Sequence, residues 1–229
     1  MSPVTFYLNN QQGNNMKISL NKKILDKNEE CALQNSEFFA ENKIICINVI
    51  SSPGSGKTTT LSKTITDLTG QLKIGVIEGD IRTDTDAQKI RSTGAKAVQI
   101  ETKGSCHLSA QQVTEALSMI PAAEMDFIFI ENVGNLVCPS DFALGENLRV
   151  VLLSVPEGDD KPIKYPGTFA KADVILINKI DLIDHIDFNL ERVITDIRAV
   201  NKDAEIMQVS AATGQGMEEW YDWLKQKKL

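Results

Sequence analysis

The chain has 229 residues and a formal net charge of −7, from 31 acidic and 24 basic side chains. This acidic balance, with no basic stripe, argues against a nucleic-acid partner. The apolar runs are only as long as strands and no signal peptide is evident, so we predict a cytoplasmic protein without a membrane segment. The four cysteines are too few for a disulfide scaffold, which leaves core positions, reactive thiols or metal ligands.

The sequence predicts an N-terminal extension followed by one domain. Residues 1–20 are predicted to be a flexible segment, since they include a polar run rich in Asn and Gln. Residues 21–42 are rich in helix formers and contain no Pro or Gly, which predicts a helix packed on the flank of the domain. Residues 43–229 show no internal repeat and no change of composition, so a single domain is predicted there.

Strand-like and helical segments alternate from residue 44 onward. The strands are runs of Ile, Val and Leu without alternation, a pattern typical of strands buried on both faces of a parallel sheet. Predicted strands cover residues 44–50, 74–78, 97–100, 127–131, 149–154, 174–178 and 205–210. Predicted helices cover residues 57–68, 84–91, 108–120, 188–200 and 217–227. Right-handed crossovers between these elements give a doubly wound α/β fold with a mostly parallel sheet, whose ligand lies at the carboxyl ends of the strands.

A glycine-rich turn lies between the first of these strands and the helix that follows it. It has the spacing of a phosphate-binding loop, except that Ser51 takes the place of the usual opening glycine. The backbone N–H groups of such a loop converge on an anion, Lys57 reaches the β- and γ-phosphates, and the Thr58 hydroxyl binds Mg²⁺. The residues expected to contact the nucleotide in this predicted P-loop NTPase are Gly54, Ser55, Gly56, Lys57, Thr58 and Thr59.

Two later strand ends predict that the base of the nucleotide is guanine. Asn178-Lys179-Ile180-Asp181 closes the sixth strand, and the Asp181 carboxylate can accept hydrogen bonds from both donors of guanine, a pair that adenine does not present. Ser210-Ala211, after the last strand, matches the loop that donates a backbone N–H to the guanine oxygen. The expected nucleotides are therefore GTP and GDP.

Candidates for Mg²⁺ binding and for catalysis also follow strands. Asp80 comes after the second strand and is predicted to bind Mg²⁺, and Asp84 either positions the attacking water or merely starts a helix. Glu131-Asn132-Val133-Gly134 occupies the position where GTPases carry D-x-x-G, with the longer glutamate in place of aspartate. The Gly134 N–H is expected to contact the γ-phosphate. Lys57, Asp80 and Asp84 are the predicted catalytic residues.

Two cysteines and a histidine form a candidate metal site. Cys106-His107 follows the third strand, and Cys138 lies four residues after Gly134. Two thiolates and an imidazole suit Ni²⁺ or Zn²⁺. The spacing alone leaves an alternative open, in which a core cysteine lies beside a histidine that starts a helix. We interpret the remaining residues of these types as structural, namely Cys31, Cys46 and His185.

Together these motifs resemble the HypB family, the nickel-incorporation GTPases of hydrogenase maturation. The resemblance extends from about residue 20 to the C-terminus. It rests on residues 51–58, 78–81, 106–108, 131–139, 157–162 and 178–181. The urease GTPases are similar in the nucleotide motifs but place a proline between the cysteine and the histidine. Cys106 and His107 are adjacent here, which favours the hydrogenase branch.

The resemblance implies a SIMIBI-like G domain over residues 43–229 and a Ni²⁺ or Zn²⁺ site formed by Cys106, His107 and Cys138 at the interface of a GTP-dependent homodimer. It implies slow GTP hydrolysis that acts as a switch, since no Arg finger or catalytic Gln is identifiable. The implied partners are a hydrogenase large-subunit precursor and other nickel-delivery accessory proteins. Many family members also bind nickel through an N-terminal Cys motif or His-rich stretch, whereas residues 1–30 contain neither Cys nor His.

Three alternatives stay open. The first is a urease-type nickel-insertion GTPase, with the same chemistry and a different client. The second is a small-molecule P-loop kinase, which has no use for the guanine-specific residues 178–181. The third is a nucleotide-dependent scaffold without metal transfer, which has no use for two cysteines and a histidine together.

Overall fold

The computed structural model of the chain describes residues 17–80, 85–102 and 104–228, so residues 1–16 of the predicted flexible segment lie outside the described residues. Seven described strands form one sheet in the order β3-β2-β4-β1-β5-β6-β7, and all of their pairings are parallel. They are β1 (Ile45–Ser51), β2 (Ile74–Asp80), β3 (Lys96–Glu101), β4 (Phe127–Glu131), β5 (Leu148–Ser154), β6 (Val174–Asn178) and β7 (Glu205–Gln208). This sheet confirms the predicted doubly wound α/β fold.

Helices precede the first strand, alternate with the strands along the chain and follow the last one, and they cover both faces of the sheet. The longer ones are α1 (Lys17–Glu41), α2 (Lys57–Asp67), α3 (Thr85–Ser92), α4 (Ala110–Leu117), α8 (Leu190–Val200) and α9 (Met217–Lys227). Three short ones are α5 (Cys138–Asp141), α6 (Lys161–Lys164) and α7 (Pro166–Ala170). No helix within the described ranges is long and apolar enough to cross a membrane.

Helix α1 begins earlier than the sequence predicted. The prediction began the helix at residue 21, whereas the structure begins it at Lys17, so the end of the segment predicted to be flexible is helical. Residues 17–20 contain no Pro or Gly and therefore impose no break on the helix that follows them. Further along, Asn35 is buried and its amide donates to the carbonyl oxygens of Ala110 and Leu144, which fixes α1 against α4.

The core explains why the central strands lack alternation. Every residue of β1 is buried, because its side chains meet helices on both faces of the sheet. Ile45 and Ile47 pack in a cluster with residues of α2 and α9, whereas Cys46 packs in a second cluster with residues of α1 and α4. A fully buried large apolar side chain contributes about 1.5–3 kcal/mol. The core therefore fixes the positions of the strand ends, from which the loops of the site begin.

The strand order places a crevice at the carboxyl end of β1. The chain builds the sheet on one side of β1 through β2, β3 and β4, and then on the other side through β5, β6 and β7. Ligands of doubly wound sheets bind where the strand order reverses in this way. Since all strands are parallel, the loops after β1, β2, β3, β4 and β6 meet at this one edge, which is where the predicted site residues lie.

Candidate functional site

The loop after β1 ends in a backbone conformation that only glycine adopts without strain. Gly56, immediately before α2, has a φ of 97°, and a β-carbon added there would lie 2.5 Å from Asn178 Nδ2. Both its conformation and its close neighbour therefore require glycine. Lys57 begins α2, and its Nζ donates to the Ser51 hydroxyl oxygen at 3.0 Å. The serine at the unusual opening position thus contacts the lysine expected to bind phosphate.

A cavity of about 410 Å³ lies over this loop, within the range typical of small-molecule sites. It brings together residues that are distant in sequence, from the loop itself, from the end of β4 and from the end of β6. Its lining includes eight of the predicted nucleotide-site residues, namely Gly54, Gly56, Lys57, Thr58, Thr59, Glu131, Gly134 and Lys179. Ser55 is buried beneath the loop, and its hydroxyl donates to the Ser52 carbonyl oxygen at 2.7 Å.

Thr58, a candidate Mg²⁺ ligand, lines this cavity beside Glu131. The Thr58 hydroxyl donates to Glu131 Oε1 at 2.7 Å, and both side chains are buried. A hydroxyl and a carboxylate are the hard oxygen donors that Mg²⁺ prefers, so the residues present fit this ion. Asp80 is the last residue of β2, at the same edge of the sheet, whereas Asp84 lies outside the described residues.

Gly134 lies against the phosphate-binding loop. A β-carbon at this position would come within 3.0 Å of the Pro53 Cα, so the two backbones approach more closely than a larger residue allows. This contact joins the segment after β4 directly to the loop expected to hold phosphates. A movement of one of these two segments must therefore be accommodated by the other.

Side chains at the end of β6 tie the phosphate loop to the candidate base site. Asn178 Nδ2 donates to the Ser55 carbonyl oxygen at 2.8 Å, while its Oδ1 accepts from the Ala211 N–H at 3.2 Å. Lys179 adopts a positive φ of 60°, and its Nζ donates to the Gly54 carbonyl oxygen at 2.7 Å. Asp181 is exposed beside these residues, while Ser210 and Ala211 are buried behind them.

Cys106, His107 and Cys138 converge on the adjoining surface. Their ligand atoms lie within 4.8 Å of one another, and Cys106 Sγ is 3.5 Å from His107 Nδ1. Metal–ligand bonds of about 2.0–2.3 Å place the donors of a tetrahedral ion within about 4 Å of one another, so a small adjustment would let all three bind one ion. Cys31 and Cys46 lie outside this group, on α1 and in the core of β1.

The proton affinities of Cys106 and His107 differ from those of isolated side chains. The neighbouring Cys138 thiol, followed by burial, raises the pKa of Cys106, while burial lowers the pKa of His107. A lowered pKa keeps the imidazole neutral at neutral pH, which is the form that binds a metal. The raised thiol pKa means that protons compete with a metal for Cys106 across the neutral range.

Packing holds the two halves of this group together. The His107 ring stacks on Phe142, which follows α5, with ring centroids 3.8 Å apart and planes inclined by 19°. Asn135 Nδ2 donates to the Cys106 carbonyl oxygen at 3.4 Å, while its Oδ1 accepts from the Val137 N–H at 2.8 Å. The loop after β3 is thereby fixed to the segment that carries Cys138.

The sequence interpretation assigned no role to several side chains that belong to the site. Glu78, in β2, is 2% exposed and lines the nucleotide cavity, and Lys89 from α3 lines it as well. The sequence could have indicated Glu78, since an acidic residue inside an apolar strand is unusual. No sequence feature marked Phe142 as part of the site, because an aromatic residue near a cysteine is usually an ordinary core residue.

The fold and these contacts define a class of protein. A parallel sheet with a phosphate-binding loop at its switch point is the architecture of P-loop nucleotide-binding proteins. Residues 45–208 match the family model described as "CobW/HypB/UreG, nucleotide-binding domain". The chain is 46% identical over 205 residues to the hydrogenase maturation factor HypB of Escherichia coli (strain K12). The aligned region covers 90% of this chain and 71% of that protein. The chain belongs to the HypB family.

Two solved HypB structures are similar to this fold. HypB from Helicobacter pylori, described as a complex with nickel, has a TM-score of 0.84 and 39% identity, covering 88% of this chain and 95% of that chain. HypB from Archaeoglobus fulgidus has a TM-score of 0.83 and 39% identity, covering 88% of this chain and 98% of that chain. These likenesses confirm the P-loop fold and the family that the motifs had indicated.

Proposed function

We propose that this chain is a cytoplasmic GTP-hydrolysing metallochaperone that helps to insert nickel into a hydrogenase precursor. The observation that carries the proposal is the convergence of Cys106, His107 and Cys138 within 4.8 Å, at the edge of the sheet that also forms the nucleotide cavity. The nickel complex of the H. pylori relative supports nickel as the cargo. The partners in this proposal are a hydrogenase large-subunit precursor and other nickel-delivery accessory proteins.

In this proposal residues 43–229 are the GTPase domain. The backbone of residues 54–59 and the Lys57 ammonium hold the phosphates, with the Gly134 N–H directed at the γ-phosphate. Mg²⁺, held by Thr58 and Asp80, would neutralise charge on the transferred phosphoryl group. The remaining roles are orientation of the attacking water by Asp84 and binding of the base by Asn178, Lys179, Asp181, Ser210 and Ala211.

Guanine selectivity gives the first test of this proposal. Asp181→Asn replaces one acceptor oxygen with a donor, so it should lower the preference for GTP over ATP by about 5–150-fold, the effect of about 1–3 kcal/mol. The same change should improve XTP binding, because xanthine carries an oxygen where guanine carries its amino group. Competition titration with labelled GDP measures both effects.

Asp184→Asn is the matched control, since Asp184 is an exposed carboxylate in the same short segment, Ile180–His185. This variant should bind all three nucleotides as the unmodified protein does. Equal affinities of the unmodified protein for GTP and ATP would contradict the assignment of the base site.

Coupling between nucleotide and metal is the second test. Only three residues separate Gly134 from Cys138, so a backbone shift at the γ-phosphate should reach a metal ligand directly. Three ligands also leave a four-coordinate ion one donor short, and a two-fold dimer could supply more by bringing two Cys106-His107 pairs together. A non-hydrolysable GTP analogue with Mg²⁺ should therefore promote dimers and change Ni²⁺ affinity by about 5–150-fold relative to GDP.

Sedimentation and Ni²⁺ titration in both nucleotide states measure this coupling. Linkage requires that Ni²⁺ also change the affinities for the two nucleotides unequally, which provides an internal check. If the oligomeric state and the metal affinity are the same with either nucleotide, the proposed switch mechanism is contradicted. The factor by which the analogue changes Ni²⁺ affinity relative to GDP must equal the factor by which Ni²⁺ changes the ratio of the two nucleotide affinities. A mismatch between these two factors would indicate an experimental error.

A further inference from the structure

Two buried asparagines connect the γ-phosphate segment to the segment that carries the first two metal ligands. Asn132, between Glu131 and Gly134, accepts at Oδ1 from the N–H of Leu108, at 3.2 Å, and of Val133, at 3.0 Å. Leu108 directly follows His107. Asn132 Nδ2 donates to Asn48 Oδ1 at 3.1 Å, and the two asparagines are 1% and 0% exposed.

The chain of hydrogen bonds continues to the third metal ligand. Asn48 Nδ2 donates to Glu146 Oε1 at 3.2 Å, and the same oxygen accepts from Arg149 Nε at 2.7 Å. A second nitrogen of the guanidinium, Nη1, donates to the Ser140 carbonyl oxygen at 3.0 Å. Ser140 lies in α5, two residues after Cys138. A continuous polar path therefore runs from beside His107 to beside Cys138.

We propose that Asn132, Asn48, Glu146 and Arg149, the polar network, are positioning residues that set the distance between the two halves of the metal site according to the bound nucleotide. The two asparagines are buried, and Glu146 and Arg149 are partly buried. The inference rests on the proposed function, in which nucleotide and metal are coupled. The network adds a second path to the short covalent one from Gly134 to Cys138. It reaches the Cys106-His107 segment, which the covalent path does not.

Burial of the two asparagines ties their movements to those of their partners. A buried amide that loses its partner pays a desolvation cost, so Asn132 cannot shift by an ångström and leave the Leu108 N–H unpaired. Asn48 stands alone as a polar residue inside the apolar run of β1, and it is register partner to Arg149 across the β1–β5 pair. Fully paired polar groups in the core specify one arrangement, and here that arrangement spans both metal-ligand segments.

The test breaks the network at two separate links. Asn48→Leu removes the bridge between Asn132 and Glu146 with little change of volume, and Arg149→Met removes the contact to α5. The experiment measures the Ni²⁺ affinity of the full chain with GDP and with a non-hydrolysable GTP analogue. The ratio of these two affinities is the readout. That ratio should fall severalfold below the unmodified value, about 5–150, in each variant, and the part that remains is carried by the covalent path from Gly134 to Cys138.

Two further measurements separate positioning from a merely structural role. The Ni²⁺–thiolate absorption band should change when the analogue replaces GDP in the unmodified protein and should change less in each variant. Arg149→Lys keeps the charge beside Glu146 but cannot make the two-pronged contact, so its ratio should lie between those of the unmodified protein and Arg149→Met.

Asn201→Leu is the matched control, because Asn201 also fastens a loop by donating to the carbonyl oxygens of Phe169 and Ala172. It should lower the melting temperature and leave the ratio unchanged. A normal ratio in Arg149→Met, which breaks the less buried link, overturns the proposed role of the polar network whether or not Asn48→Leu folds. A ratio of 1 in the unmodified protein overturns both the network and the proposed switch, so the two failures are distinguishable.

Discussion

Lys57→Ala is expected to lower the rate of GTP hydrolysis by about 10²–10³-fold or more while the fold is retained. The ammonium lines the nucleotide cavity and is held by the Ser51 hydroxyl, in the position where it would neutralise charge on the β- and γ-phosphates. Removing one such donor from a transition state typically costs about 10²–10³ in rate. Alanine is a good helix former, so α2 should still begin at residue 57.

Lys63→Ala provides the control on the same helix. Lys63 is paired with Asp67 at 2.9 Å, but both side chains are about one-third exposed, and such pairs contribute about 0–1 kcal/mol. Phosphate release at saturating GTP should be normal in this variant, and the melting temperature of both variants should stay close to that of the unmodified protein. Retained hydrolysis in Lys57→Ala would place the phosphate site elsewhere.

The sheet could be predicted because its strands carry a strong local signal. Each residue of β1, β4 and β6 is buried, and such strands appear in the sequence as short apolar runs bounded by turn residues. Once these strands were taken as parallel, the motifs that follow them had to meet at one edge. The convergence of Cys106-His107 with Cys138 follows from the same rule, since β3 and β4 end at that edge.

The short helices could not be predicted in the same way. Helices α5, α6 and α7 have four or five residues, about one turn each, which is too short for a 3.6-residue period to show. Each has proline in its first two positions, a residue that starts a helix as readily as it ends one. Cys138 therefore lies on a helical turn that no sequence pattern indicated.

The buried contacts of the site were missed because they are tertiary. Asn132 bonds to a partner 84 residues away, and Asn48 to one 98 residues away. The sequence placed Asn48 in an apolar strand, where a lone polar residue indicates that a partner must exist but not which one it is. Only the strand order, which puts β1 between β4 and β5, brings these partners together.

The largest effect on metal binding is expected from the three candidate ligands. Cys106→Ala, His107→Ala and Cys138→Ala should each weaken Ni²⁺ or Zn²⁺ binding by at least about 10–100-fold, since even loss of an outer-shell partner of a ligand has that effect. Cys31→Ala and Cys46→Ala are the matched controls and should bind metal normally. Equilibrium titration of the purified protein with each ion measures all five variants.

Metal affinity should also fall as the pH is lowered, because each ligand must lose its proton to bind. Burial lowers the pKa of His107, so the imidazole stays neutral over most of this range and Cys106 dominates the pH dependence of metal affinity. The Cys138 thiol raises the pKa of Cys106, so affinity should keep rising with pH through the neutral range. Unchanged metal affinity in a variant lacking both Cys106 and His107 would show that this pair does not bind the metal.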